Sequence, residues 1–365
     1  MRCSFYLLPI VFLLSACSDS PPEFTNIKPE FSDTSLKVIE IAETLEVIEV
    51  KTDNPIGPGP TLLASDEYIY LFDGEYSQRL LQIDFEGNLI NSTQFYEDEK
   101  LNITSITNMF LKDGMIGIIS DGRDINWFDE NLKYIGSEDL PVQGQNHFPF
   151  MDGFATFNCR INELEPWDFF YSEKEILTKD IPISPLEHRF SYSPISPFSN
   201  WNQGLLFSLM FNDTLYFLNK RKELNRLVSL DFGAKSPPDG FLKNIKNPME
   251  LYSFFKESKY TYLGGSIFGL NQNNVLLEVN DQRERKLAIW NIEKNMVTIY
   301  PSIIDTSITG LNFHNPSHGQ KDKLFFGYTG EYILDRAETL LPKFKNQLSK
   351  DYQSSYFIFV LGLKE

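Results

Sequence analysis

"YIYLFDGEYSQRLLQIDFEGNLI", residues 68–90, holds two apolar-rich alternating runs, a polar break between them, and the turn signal Glu86-Gly87-Asn88 near its end. Alternation of this kind marks a half-buried strand, so the stretch reads as antiparallel strands joined by short turns. The same order of events recurs in "GMIGIISDGRDINWFDENLKYI" (114–135), in 153–178 with a longer loop, in 204–233 with a shorter one, and in "NVLLEVNDQRERKLAIWNIEKNMVTIY" (274–300). Aligning the second runs on Asp84, Asp129, Tyr171, Asn219 and Asn291 gives spacings of 45, 42, 48 and 72 residues. A period of roughly 40 to 50 residues is that of a four-stranded propeller blade, and the last spacing is one blade plus an insertion. Runs within 311–334 and 356–363 supply a last unit. "LKVIEIAETLEVIEVK" (36–51) alternates but precedes the first unit, so it is expected to close the last blade as its outer strand. The expected fold is all-β, a six-bladed β-propeller of four-stranded blades closed by its N-terminal strand.

The first residues do not belong to that ring. "MRCSFYLLPIVFLLSACSDS" has a basic n-region at Arg2, an apolar stretch from Phe5 to Leu14 too short to span a bilayer, and then Leu14-Ser15-Ala16-Cys17. That tetrapeptide resembles the lipobox of bacterial lipoproteins, which implies a signal peptide over 1–16, lipidation of Cys17 and attachment to the membrane by acyl chains alone. Ser18 in place of aspartate favours the outer membrane within that resemblance. Residues 17–36 read as the lipidated cysteine and a polar, proline-bearing tether, and 37–365 as the propeller.

Composition narrows the partners. Lys and Arg number 33 against 50 Asp and Glu, a net charge of -17, which repels phosphate backbones and argues against nucleic acid. Of three cysteines, Cys3 leaves with the leader and Cys17 is taken by lipid, leaving Cys159 with no disulfide framework or multi-cysteine metal site to join. Phe and Tyr, 31 and 17, suit stacked sheets with a large packed core.

"NPIGPGPTLLASDEYIYLFD" (54–73), "DTLYFLNKRKELNRLVSLDFGAKSPPDGFL" (213–242) and the closing "SSYFIFVLGLK" (354–364) resemble the six-bladed propeller lipoproteins of Bacteroidetes, relatives of the NHL-repeat propellers. "GPGP" at 57–60 departs from the "GxGPGE" seen there. The resemblance implies a fold, a lipid anchor and an export route, but no catalytic residues.

In a blade, the connection between strands two and three and the connection to the next blade emerge on the same side of the disc. Arg79, Arg123, Arg160 and Arg283 fall in such two-to-three connections, and Arg336 at the matching point of the last unit. Together these arginines could hold a carboxylate, sulfate or uronate, because a guanidinium grips such groups with two parallel hydrogen bonds. The blander alternative is that they satisfy loop carbonyls within each blade. The insertions 236–262 and 336–352 are expected on this face, the second as a helix interrupted by Pro342. Trp201, in the run that links the third and fourth units, is expected there too, stacking on a sugar or packing between blades. His314 and His318 stand four apart in "HNPSH", but Pro316 argues against the helix that would align them on a metal. HExxH, GxSxG and phosphate-cradling signatures are absent.

The sequence thus points to a lipid-anchored cell-envelope propeller, binding a glycan, peptide or envelope protein through the face that bears the insertions, and more in keeping with a binder than an enzyme. No metal or cofactor is expected. The alternative is a calcium-dependent hydrolase or lyase acting at the channel mouth.

Overall fold

A computed structural model describes residues 24–74, 76–95, 103, 106–120, 122, 124–140, 144, 146–157, 169–173, 176–181, 196–238, 249–250, 253–254 and 259–364. Sheets follow one another along the chain as a propeller. Sheet one takes its strands from Thr61–Ala64, Ile69–Asp73, Arg79–Ile83 and Leu89–Gln94. Sheets two, three and four begin at Ile106, Asn146 and Phe198, sheet five at Thr261, and sheet seven at His318. Within each, the strands consecutive in the chain pair antiparallel as a meander, and the N-terminal segment adds a strand to sheets four, five and seven. Burial follows position in the blade. Second strands such as Ile69–Asp73 and Gly204–Ser208 are buried at every residue, whereas the outer strand Leu89–Gln94 is half-buried to exposed.

The blade count of six is corrected to seven sheets. Sheet six consists of Ile303–Ile304, Asn312–Phe313 and Leu36–Lys37. Two-residue strands are too short to leave an alternating pattern, and one of the three comes from the far end of the chain, so no repeat is visible there. Strand numbers vary as well: sheets four and five have five strands each.

Those fifth strands correct the reading of 17–36 as tether throughout. Thr25–Ile27 runs parallel to the outer strand of sheet four, Glu30–Phe31 parallel to that of sheet five, and Leu36–Lys37 parallel to Ile303–Ile304. The outer strands follow one another around the rim, and this segment borders three of them in succession as a belt. It then crosses one helical turn, Val38–Ile41, into the strand Ala42–Val50, which pairs antiparallel with Tyr356–Leu363 and forms the outer edge of sheet seven. The ring is therefore closed by both ends of the chain, as the alternation of 36–51 suggests.

Apolar side chains fill each inter-sheet gap. Leu80 and Ile116 meet between sheets one and two, Phe110 and Phe154 between two and three, and Phe169 and Phe207 between three and four. Leu215 and Val279 meet between four and five, Phe313 and Phe359 around six and seven, and Ile358 and Leu71 across the closure. Each fully buried Leu, Ile or Phe contributes about 1.5–3 kcal/mol relative to exposure.

The acids and amides that mark the repeat are turn caps. Asp84 accepts from the backbone N–H of Glu86 (3.0 Å) and Asn88 (2.7 Å), Asp129 from Asn131 and Lys133, and Asn219 from Arg221 and Glu223. Gly87 in the first of these turns has φ +84, and a Cβ there would lie 2.2 Å from the Glu49 carbonyl oxygen of the closing strand. Only glycine allows both the conformation and the approach.

Candidate functional site

The face bearing the two-to-three connections is here called the upper face. The described parts of sheets five, six and seven meet there in a continuous polar array. Its deepest member is Glu278, a buried carboxylate in the second strand of sheet five, Asn274–Asp281, whose Oε2 accepts from Ser266 Oγ at 2.6 Å. A β-bulge creates the space for it. The register between the first two strands of sheet five shifts between Leu263 and Ile267, and a Cβ on Gly264 would come within 2.5 Å of the Glu278 carboxyl carbon.

Arg285, at the start of the third strand, brings its Nε to 3.9 Å from Glu278 Oε1 while its side chain stays 60% exposed. With the Asn315 amide oriented so that its nitrogen donates to the His314 carbonyl at 2.9 Å, its oxygen accepts from Arg285 Nη1 at 2.8 Å. The His314 N–H donates to the Tyr328 hydroxyl at 3.4 Å. Tyr328 and Tyr332 stack with ring centroids 4.2 Å apart, and the Arg336 guanidinium lies 3.5 Å over the Tyr332 ring while Nη1 donates to the Tyr332 carbonyl at 3.1 Å. Burial and the neighbouring Arg336 cation hold the His314 imidazole below its ordinary pKa, against a hydrogen bond to the Pro301 carbonyl. Two guanidinium groups and a neutral imidazole thus share one junction, bordered by stacked tyrosines.

The insertion 336–352 supports this junction from behind. Pro342 does not interrupt a helix; it occupies the first turn of Pro342–Lys345, where its missing N–H costs nothing. Phe344 and Leu340 are buried in the core shared with sheet six, and the Leu341 N–H donates to the Thr309 carbonyl at 2.9 Å. Below it Asp305, fully buried, accepts from the Ser307 and Ile308 amides and both the amide and hydroxyl of Thr309. Burial alone would raise its pKa, but these hydrogen bonds hold it lower.

Of the arginines singled out in the sequence, the described ones, Arg79, Arg283 and Arg336, sit in different surroundings. Arg79 begins the third strand of sheet one opposite Asp73, with Nε and Nη2 buried and without hydrogen-bond partners among the described residues. Asp73 is occupied by its own loop, accepting from Gly57 N, Tyr76 N and, at 2.8 Å, Ser77 Oγ. Beside them an upper-face cleft of about 370 Å³ opens between Pro58, Phe72, Gln78, Phe95 and Ile106. Arg283 sits exposed at the tip of the tight turn Gln282-Arg283, both with positive φ, away from the junction that Arg285 enters. Asp281 before it is buried and satisfied by Thr261 Oγ1 at 2.6 Å and Lys286 Nζ at 2.8 Å. Cys17, Arg123, Arg160 and most of the insertion 236–262 lie outside the described residues.

Trp201 is corrected in position. It ends the inner strand Phe198–Trp201, which crosses the disc, so the indole belongs to the opposite face. There it is buried, packs edge-on against Phe217, and donates Nε1–H to the Asn271 carbonyl at 3.0 Å. His147 is structural too: its ring is fully buried, with Nε2 against the Gly122 and Gly144 carbonyls and Nδ1 against Thr156 Oγ1. Among the described residues no group of three or more His, Cys, Asp and Glu is placed to hold a metal ion. Spacing places a residue in a connection without saying where its tip aims, so the sequence does not single out Arg285 or His314 as site residues. The bulge glycines at 264 and 265 are the local signal that a side chain fills the space beside them.

No family model matches the chain, and no curated protein is similar to it in sequence. Among solved structures, a Bacteroides fragilis protein described as exported is similar over 94% of this chain and 100% of its own, at 12% identity and a TM-score of 0.73. Virginiamycin B lyase of Staphylococcus aureus covers 87% of this chain and 100% of its own at 8% identity and a TM-score of 0.44. A quinonprotein alcohol dehydrogenase-like protein of Bacteroides thetaiotaomicron covers 68% and 67% at 13% identity and a TM-score of 0.37. At these identities the first likeness establishes the fold alone: the chain is an all-β propeller.

Proposed function

We propose that the chain is a lipid-anchored cell-envelope propeller that binds a carboxylate-bearing ligand, an acidic glycan or peptide, at the Arg285, His314 and Arg336 junction. The observation that carries this reading is the convergence of two guanidinium groups and an imidazole from three sheets, in a protein whose net charge is -17. Concentrating cations on one spot of an acidic surface draws an anion to that spot and repels it elsewhere. Arg336, held flat on Tyr332, loses little freedom on forming a two-pronged contact, and the tyrosine stack beside it suits a sugar or aromatic group. Export and anchoring rest on the leader and Cys17, in keeping with the exported Bacteroides fragilis protein of the same fold.

The test is thermal unfolding of the chain from Ser18 onward against uronate-containing oligosaccharides, acidic peptides, their neutral counterparts, calcium and EDTA. A ligand that binds only the folded form raises the midpoint. Stabilisation by acidic ligands but not neutral ones supports the reading. Stabilisation by calcium, reversed by EDTA, supports the hydrolase or lyase alternative instead.

A further inference from the structure

The belt fixes where the chain leaves the ring toward Cys17. Thr25 pairs with Val228 and Ile27 with Leu230 in a parallel register, so the described belt begins at the end of the outer strand of sheet four that lies toward Arg226 and the turn at 219–223. That segment, "NKRKELNR" (219–226), carries Lys220, Arg221, Lys222 and Arg226 against a single acid, Glu223. Within a chain of net charge -17 this is a dense run of positive charge, and Arg221 and Arg226 are exposed. Lys222 is paired with Glu173 and Lys220 donates to Gln203 Oε1. Along the same rim Phe24 and Phe31 are 48% and 41% exposed, and Lys235 Nζ lies 4.1 Å from the Phe31 ring centroid. Aromatic rings with lysines beside them are the side chains that tolerate a headgroup boundary.

The span is short. From Cys17 to Thr25 is 25 − 17 = 8 residues, at most about 29 Å when fully extended. We infer that the acyl anchor and the basic segment 220–226 seat the rim of sheet four on an anionic lipid surface, so that the propeller stands on edge with its upper face open sideways. The inference rests on the reading of Cys17 as the anchor. It adds that the Arg285, His314 and Arg336 junction is neither pressed against the bilayer nor turned straight away from it.

The test uses the full acylated chain on vesicles of phosphatidylcholine with and without phosphatidylglycerol, in a Cys159→Ser background. A donor dye is placed at Glu223→Cys, on the sheet-four rim, or at Ile90→Cys, exposed on the outer strand of sheet one across the ring. Energy transfer to headgroup acceptors should be at least about twofold stronger from position 223 than from position 90. Arg221→Glu with Arg226→Glu should bring that ratio toward one on the anionic vesicles while the protein still floats with them. Equal or reversed transfer in a floating chain, or a ratio untouched by the two charge reversals, overturns the seating on sheet four. A chain that does not float contradicts the anchor itself and removes the orientation with it.

Discussion

The N-terminal segment is joined to the ring in two contrasting ways. Residues 42–50 form an antiparallel ladder of eight pairs with Tyr356–Leu363, and Ile48 and Val50 are buried against Leu71, Leu81 and Ile358. The belt makes three parallel contacts of two or three residues each, with Phe31 and Glu30 exposed. The first buries a face and shuts the propeller, while the second mostly decorates an edge. Length of ladder and apolar burial, rather than the mere presence of pairing, decide which contact holds the fold together and which only directs the chain.

The sharpest way to break this contrast is at the closure. Ile358→Ala removes a fully buried side chain between sheets seven and one and should lower stability by about 4 kcal/mol, measured by urea unfolding. Acid gives the next largest effect, and it acts on neither region. His147 titrates at about 4 when folded, because burial disfavours its charge, against about 6.5 unfolded. The unfolded chain therefore takes up the proton first, so stability is full above about pH 6.5 and falls by up to about 3 kcal/mol as pH drops to about 4. His147→Gln should remove its share of that slope and leave the share of His318, which burial also holds at about 4, while substitutions in the closure or the belt, neither of which contains histidine, should leave it unchanged. Gly87→Ala forces a side chain against the Glu49 carbonyl at a positive φ and should cost about 2 kcal/mol, seen as earlier opening of the closing strand in hydrogen exchange. Phe31→Ala, on the belt, should cost less than about 1 kcal/mol, with the lost cation–π contact to Lys235 as its main term.

Much of the fold is legible in the sequence because a four-stranded antiparallel blade writes itself locally: alternating runs, capped turns and a period near that of Asp84 to Asp129. What is not legible is what the chain assembles from distant pieces. Leu36 meets Ile303, and Thr25 meets Val228, through strands of two or three residues whose pattern is indistinguishable from a polar linker. The site divides in the same way. Position in a two-to-three connection can be read for Arg79 and Arg283, but not the direction of their guanidinium groups. Arg285 lies only two residues beyond Arg283, yet Arg283 stands in the positive-φ turn while Arg285 is already in the ladder, paired with Asn280 and within reach of Glu278 and Asn315. His314 draws attention through its spacing to His318, whereas its structural neighbours include Tyr328 and Arg336, both outside the pattern that suggested a pair.

The most direct test of the central claim is titration calorimetry with a uronate-containing oligosaccharide on the wild type, Arg336→Ala, Arg285→Ala and Arg283→Ala. Losing one arm of a charged, two-pronged contact should weaken binding by roughly 10- to 100-fold for Arg336→Ala and Arg285→Ala, and leave Arg283→Ala close to wild type. Wild-type affinity should also rise as pH falls, because an anion beside His314 favours the protonated imidazole that Arg336 and burial otherwise disfavour. Affinity that is unchanged in the Arg336 and Arg285 variants, or lost with Arg283 instead, would contradict the assignment of the ligand to this junction.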